Sequence, residues 1–172
     1  MRCVNMRINL SRLILRPRER EAFFLETMGN DCFLEEIGGK FLTSIKVEIV
    51  VENTGNRFVG RGNVRTLLQL PCSRCLKDFT YPVDTEFELT MAEAVNSDQV
   101  SVDDGIIFFE ADEADIMSIV EEAIFMAIPI CSLCREDCRG LCLVCGQDKN
   151  STSCSCQQET IDPRWEKLKN LQ

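Results

Sequence analysis

Between Cys131 and Cys156 the chain places seven cysteines in 26 residues, CSLCREDCRGLCLVCGQDKNSTSCSC, and it contains no histidine anywhere. The large apolar residues of this stretch (Leu133, Leu141, Leu143 and Val144) are too few to fold it by burial, so a metal is the expected stabiliser. Structural Zn²⁺ contributes on the order of 10–16 kcal/mol in zinc-finger peptides at neutral pH. Cys142-Leu-Val-Cys145-Gly146 has the spacing of a metal knuckle: two intervening residues let both sulfurs face one ion, and the glycine admits the positive φ such turns need. Cys154-Ser-Cys156 returns two more thiolates after a loop of eight residues, so Cys142, Cys145, Cys154 and Cys156 are the expected Zn²⁺ ligands. Four thiolates leave no position for water, which makes this a structural ion. Without histidine, neither imidazole acid–base chemistry nor a His-containing triad is available.

Eleven cysteines could instead signal disulfides. Their clustering as C-x2-C and C-x-C, with no secretory leader ahead of them, favours reduced thiolates on a metal. Cys72-Ser-Arg-Cys75 lies far upstream, and Cys131, Cys134 and Cys138 remain near the knuckle. Two arrangements stay open. Cys72 and Cys75 join two of those three, for instance Cys134 and Cys138, in a second site pinning tail to sheet; or Cys134 and Cys138 compete for the first ion and leave Cys72 and Cys75 free. A redox role for Cys72 and Cys75, with Arg74 and Lys77 lowering a thiol pKa, lacks a thioredoxin-like βαβ context. The ferredoxin run C-x2-C-x2-C-x3-C does not occur, and Cys3 and Cys32 carry no pattern.

The rest of the chain reads as a soluble α+β protein. Residues 4–15 alternate apolar and polar and predict a first strand ending before Arg16-Pro17; the mostly polar stretch that follows, anchored by Phe23, Phe24, Leu25, Phe33 and Leu34, reads as loop or short helix ahead of a turn at Gly38-Gly39. Phe41–Val51 and Phe58–Leu70 flank the turn residues Glu52–Asn56 and predict an antiparallel hairpin. Phe79–Thr90 alternates again, with Asp84, Glu86 and Glu88 on its outer side. Residues 92–105 read as a loop and Ile106–Phe109 as an edge strand. Asp112–Ala127 carries apolar residues at spacings of three and four, with acids in its first turn, and predicts the one long helix, stopped by Pro129. Asp162-Pro163 then opens a short helix bearing Trp165, Leu168 and Leu171. The expected architecture is an antiparallel, curved or barrel-like sheet with one packed helix over 1–129, followed by a cysteine-rich, zinc-ribbon-like tail over 130–172.

No apolar run is long enough to span a membrane, and a cytoplasmic protein is expected. The net charge of −9 is unevenly spread. Residues 57–77 hold four arginines, one lysine and no acid, whereas residues 84–122 hold thirteen acids and no base. Arg57, Arg61, Arg65, Arg74 and Lys77 therefore form a candidate basic face for contact to RNA phosphates or to a partner, the first three sharing strand parity. Their plainer role is to solvate that face.

Several motifs occur in a fixed order: Leu70-Pro-Cys72-Ser-Arg-Cys75-Leu after a strand, a helix ending in Ile128-Pro129, Cys134-Arg-Glu-Asp-Cys138-Arg-Gly-Leu-Cys142-Leu-Val-Cys145-Gly, Cys154-x-Cys156, and Ile161-Asp-Pro-Arg164. In this order the chain resembles the YceD-like family of large ribosomal RNA subunit accumulation proteins. The resemblance implies a non-enzymatic role in the synthesis, processing or stability of 23S ribosomal RNA, with that RNA or an assembly protein as partner and no small-molecule substrate. The alternative is an adaptor that docks a processing or ribosomal protein through acidic residues 84–115 without touching RNA. Members often carry the C-x-R-C turn but not all carry the ribbon, which implies an accessory ribbon. Cys131 departs from the usual pattern, and the resemblance supplies no catalytic residue.

Overall fold

A computed structural model describes residues 5–94 and 105–156. The chain enters through a short strand β1 (Arg7–Asn9) and one turn of helix α1 (Ser11–Ile14). The expected unbroken strand over 4–15 is thus interrupted. Asn9 Oδ1 accepts the Ser11 N–H at 3.1 Å and turns the chain, and this lets Leu13 enter the core beside Ile8 and Leu10.

A sheet follows, built from β2 (Arg20–Thr27), β3 (Lys40–Phe41), β4 (Ile45–Asn53), β5 (Phe58–Pro71), β6 (Asp78–Glu93) and β7 (Ile106–Phe109). Its order is β2-β4-β5-β6-β7, with β3 beside β5; all pairs are antiparallel except β6 with β7. The hairpin expected from Glu52–Asn56 is present, with Val47 opposite Val64 and Lys46 opposite Arg65. Its first arm is broken between β3 and β4, where the Thr43 hydroxyl accepts the Leu67 N–H at 3.0 Å. Strand β2 replaces the expected loop or short helix. Its alternation is real but shallow, with Phe23 and Leu25 only half-buried and Phe24 75% exposed, so an edge strand looked like a polar segment. Two 3-10 turns, Asp31–Phe33 and Glu35–Ile37, complete that region.

The long helix α2 (Met117–Ala127) begins five residues later than expected. Two of the acids read as its first turn, Glu113 and Asp115, instead lie in strand β8 (Glu113–Asp115), which pairs with β1 in a separate two-stranded ladder, and Asp112 sits in the turn ahead of it at φ +61°. Asp115 Oδ1 still caps α2 from outside, accepting the Met117 N–H at 3.0 Å, and Glu113 bonds Arg7 at 3.2 Å. Helix α2 ends ahead of Pro129, as expected.

The inner face of the sheet supplies Ile45, Val47, Ile49, Val51, Val64, Leu68, Leu70, Val83, Leu89 and Met91 to one core. Met6, Ile8, Leu10 and Leu13 close it at one place and Met117, Val120 and Ile124 at another. Each such burial stabilises by roughly 1.5–3 kcal/mol. The sheet is open: β2 and β7 stand at opposite ends of its order and no ladder among the described residues joins them. The expected barrel-like closure is therefore not found. Helix and ladder cover the apolar face in place of a second wall of sheet. The expected helix with Trp165, Leu168 and Leu171, and most of the loop over 92–105, lie outside the described residues.

Candidate metal centres

At the end of β5 the chain leaves the ladder at Pro71 and makes a tight turn through Cys72–Lys77. Cys72 N–H donates to Lys77 O (2.9 Å), Leu76 N–H returns to Cys72 O (2.9 Å), and Leu76 takes φ +60°. The turn at Cys142 is the same structure. Cys142 N–H donates to Gln147 O (2.8 Å), Gly146 N–H to Cys142 O (2.9 Å), and Gly146 takes φ +72°. A C-x2-C spacing has thus folded twice into one knuckle, the left-handed position filled once by leucine and once by glycine.

Each knuckle meets a second cysteine pair. Cys72, Cys75, Cys134 and Cys138 form one quartet and Cys142, Cys145, Cys154 and Cys156 the other; within each, all four sulfurs lie within 4.8 Å of one another. In the first, Cys72 Sγ lies 3.8 Å from Cys138 Sγ and Cys75 Sγ 3.7 Å from Cys134 Sγ. A disulfide needs about 2.05 Å. Tetrahedral zinc–thiolate bonds of about 2.3 Å set sulfurs about 3.8 Å apart. The spacing is that of a metal shell, and both quartets are positioned to hold an ion. Cys131 is exposed and belongs to neither quartet, as does exposed Cys32.

The knuckles also prepare thiolates. Burial opposes ionisation of Cys72, but N–H groups of Cys134, Cys75 and Arg74 aimed at its sulfur bring its pKa down to about 6. The N–H groups of Cys145 and Val144, with help from the Cys154 thiol, bring Cys142 to about 6 as well. The remaining sulfurs crowd these charges. Burial and the neighbouring Cys75, Cys138 and Cys72 sulfurs push Cys134 up to about 12. Cys156 rises to about 12, chiefly against Cys145, and Cys154 rises against Cys142. For Cys75 the Lys77 N–H pulls downward, but burial and the Cys72 sulfur outweigh it. One thiolate per quartet forms readily, whereas Cys75 and Cys134 in one and Cys154 and Cys156 in the other resist; a divalent cation is the group that relieves such crowding.

The first quartet ties the tail to the sheet. Ser73 N–H donates to Ser132 O (2.8 Å), Leu141 N–H to Arg74 O (3.2 Å), and Arg74 Nη1 to Cys138 O (2.9 Å). Lys77 Nζ reaches Asp148 Oδ2 at 2.6 Å. That ammonium, with the Asn150 N–H, holds the Asp148 carboxyl down at about 2. Gly140 is required twice over: it takes φ +69°, and a Cβ there would lie 2.8 Å from Arg74 O. Asn150 and Asp148 are the participants that the sequence reading missed, and the only signal for them was an Asp-x-Asn turn inside the second cysteine loop.

The five cations singled out as contacts now have positions. Arg74 and Lys77 are engaged with the tail. Arg61 and Arg65 share the exposed outer face of β5, but each is paired across to β6, Arg61 with Glu88 (3.0 Å) and Arg65 with Asp84 (3.2 Å). Asn63 and Arg65 together hold the Asp84 carboxyl below its ordinary value. Arg57 is half-buried just ahead of β5. The structure gathers Arg74 and Lys77 into the corner of the two cysteine quartets and leaves the other three on or beside the sheet.

A sheet protein with two knuckle-built cysteine quartets, one of them clamping its tail, is the class these features define. A sequence model for the family described as large ribosomal RNA subunit accumulation protein YceD matches residues 60–172, more than half of the chain. The chain belongs to that family. It is 27% identical over 157 residues to the maize (Zea mays) chloroplastic large ribosomal RNA subunit accumulation protein YCED homolog 1, covering 74% of this chain and 54% of that protein. Its identity to the Arabidopsis thaliana protein of the same description is 24% over 156 residues, 75% of this chain and 49% of the relative. To the Bacillus subtilis (strain 168) protein YlbN it is 34% over 106 residues, 59% of each chain. The chain thus spans about half the length of the plant relatives. No solved structure matches it. No helix among the described residues is long and apolar enough to cross a membrane.

Proposed function

We propose that this protein is a non-enzymatic, cytoplasmic factor that promotes accumulation of the 23S ribosomal RNA of the large subunit, through its synthesis, processing or stability. Membership of a family described as large ribosomal RNA subunit accumulation proteins supports the reading, and the plant relatives bear the same description. On this reading the two quartets hold structural Zn²⁺, Cys142, Cys145, Cys154 and Cys156 on one ion and Cys72, Cys75, Cys134 and Cys138 on the other. All-sulfur shells leave no position for a substrate, so the metals shape a surface and do no chemistry. The sheet body, 1–129, and the cysteine-rich tail, 130–172, are then two parts joined by the first ion.

The contact surface is the open β5–β6 face and its flank. Arg61 and Arg65, with Arg57 beside them, would meet RNA by exchanging Glu88 and Asp84 for phosphate, while Arg74 and Lys77 hold the tail in place. One observation favours the adaptor reading instead: both outer-face arginines are already paired, and exposed Asp84, Glu86 and Glu88 give the face a negative surplus suited to a basic protein.

The test of function is the ratio of 23S to 16S ribosomal RNA in cells depleted of the protein. A fall restored by the wild-type chain is expected; an unchanged ratio rejects the proposal. Titrating zinc-loaded protein with large-subunit RNA fragments across salt separates the two contact readings. Direct contact predicts a steep salt slope that an Arg57, Arg61, Arg65 triple glutamate variant flattens. Equal binding by that variant removes those arginines from the interface.

A further inference from the structure

The loop between Cys145 and Cys154 belongs to the second quartet, yet one of its side chains reaches the first. Asn150 Nδ2 donates to Cys138 Sγ at 3.5 Å and to Asp148 Oδ1 at 2.7 Å. Its Oδ1 accepts from the backbone Arg139 N–H at 2.8 Å and from the side-chain Arg135 Nη2 at 2.7 Å, one residue after Cys138 and three before it. The amide is held from its own side as well, since Asn150 N–H bonds Asp148 Oδ1 at 2.9 Å and Lys149 N–H bonds Gly140 O at 2.9 Å. A single carboxamide thus has both of its ends spent on the segment that carries a ligand of the other site.

We infer that Asn150 is a positioning residue that couples the two metal sites: closing the 142/145/154/156 shell fixes its loop, and the fixed loop presents Asn150 to the Cys138 sulfur and so tightens the 72/75/134/138 shell. This rests on the two-zinc reading above. The physical basis is that a hydrogen bond to a metal-bound sulfur both orients it and spreads its charge. Removing such a partner lowers metal affinity by about 10- to 100-fold. An amide on a loose nine-residue span pays an ordering cost to reach that sulfur; on a metal-closed loop that cost is already met. By reciprocity, metal in the first site must favour metal in the second by the same factor.

The experiment uses the full chain, stripped of metal under anaerobic conditions and titrated with Zn²⁺ against a chromophoric chelator, in four forms: wild type, Asn150→Ala, Cys154→Ser with Cys156→Ser, and all three changes together. Two ions per wild-type chain are expected, and one ion would overturn the reading on which the inference rests. Given two, loss of the second shell should weaken the first by about 10-fold or more, and Asn150→Ala should do the same while one ion remains tightly held at the second site. The combined variant should lose no more than either alone, because both remove the same contact. Co²⁺ loading gives an independent reading: the sulfur-to-cobalt charge-transfer band of the first site should shift on Asn150→Ala. Losses that simply add, or a first site indifferent to Asn150→Ala, would refute the coupling and leave the two-zinc reading intact.

Discussion

Gly140→Ala tests the clasp between tail and sheet at its narrowest point. The residue sits at φ +69°, a conformation that costs an L-residue about 1–2 kcal/mol. The added Cβ would lie 2.8 Å from Arg74 O and 3.3 Å from Arg74 Cβ. The oxygen is backbone and cannot swing aside, so the Cys72 knuckle or the tail must move by several tenths of an ångström. Two hydrogen bonds lie across that contact, Leu141 N–H to Arg74 O at 3.2 Å and Arg74 Nη1 to Cys138 O at 2.9 Å. Each is worth about 0.5–1.5 kcal/mol net. Losing both on top of the backbone cost, less roughly 0.5–1 kcal/mol for the entropy glycine loses on folding, gives about 1–4.5 kcal/mol, of which the lower end is about fivefold in an equilibrium constant. The penalty falls on the docked state, which the 72/75/134/138 shell requires, so zinc affinity there should drop by at least that factor in chelator competition. The second shell should change less, because residues 138–142 can relieve the clash by leaving the sheet. Gly55→Ala is the control, since Gly55 also has positive φ (+100°) but nothing within 4 Å of a Cβ. Its cost is conformational, confined to the β4–β5 turn, and should leave both zinc affinities alone. A Gly140→Ala protein that binds two ions within threefold of wild type would refute the clasp.

The paired knuckles make a second comparison. Gly146→Leu gains no contact, since nothing lies within 4 Å of a Cβ there. Its backbone cost of about 1–2 kcal/mol, less roughly 0.5–1 for the entropy glycine loses on folding, should weaken the second shell by up to tenfold in the same competition assay. Leu76→Gly removes the same cost but also the packing of a side chain that is 68% exposed, so the opposing effects nearly cancel and affinity should stay within about threefold. Proton release is a third. Cys75 and Cys134 in one quartet, and Cys154 and Cys156 in the other, are all raised above an ordinary thiol in the metal-free protein and hold their protons at pH 7, whereas Cys72 and Cys142, at about 6, are mostly ionised. The metal-bound state therefore carries fewer protons, and affinity rises with pH. At least two protons per site should be released at pH 7, and a third from each as pH falls below about 6, where Cys72 and Cys142 are protonated too. Calorimetry in buffers of different ionisation enthalpy counts them, and a release near zero would contradict the thiolate assignment.

What could be read from sequence follows how local each interaction is. The Cys142–Gly146 knuckle and its return at Cys154 and Cys156 close within fifteen residues, and spacing alone points to them. The other quartet joins residues 59 and 66 apart, and spacing could not choose its members. Cys131 and Cys134 have the regular C-x2-C interval, yet the quartet uses Cys134 and Cys138, the pair given above as one of the open arrangements. The choice is made by the edge of the sheet, where Ser73 N–H meets Ser132 O and leaves Cys131 outside. The start of α2 was misread for a related reason. Asp112–Asp115 has the acids of a helix N-terminus, but the open N–H and C=O groups of β1 offered a partner a hundred residues away in sequence, and Arg7 opposite Asp115 won. The central strands, with apolar alternation on one face, were legible apart from the break between β3 and β4; β2, only half-buried on one face and exposed on the other, was not.

The two quartets differ in what they ask of the chain. Closing a loop of 59 residues costs about 1.5–2 kcal/mol more entropy than closing the nine from Cys145 to Cys154, if both are free coils. They are not both free. Most of the chain between Cys75 and Cys134 is already placed by β6, β7, β8 and α2 on the common core, so its closure is met by the folded body before any metal arrives. The short loop has no such core: it is organised by the polar bonds of Asp148, Asn150, Ser151 and Thr152 and by Lys149 N–H on Gly140 O. The body therefore presents Cys72 and Cys75 as half a shell, and the tail brings Cys134 and Cys138 as the other half, most readily when its own ion has set the Asn150 loop. On this order of assembly, and on the two-zinc reading proposed above, the first ion would be a docking clasp and the second a folding nucleus. A chain deprived of zinc should keep its sheet and lose the surface made where sheet and tail meet.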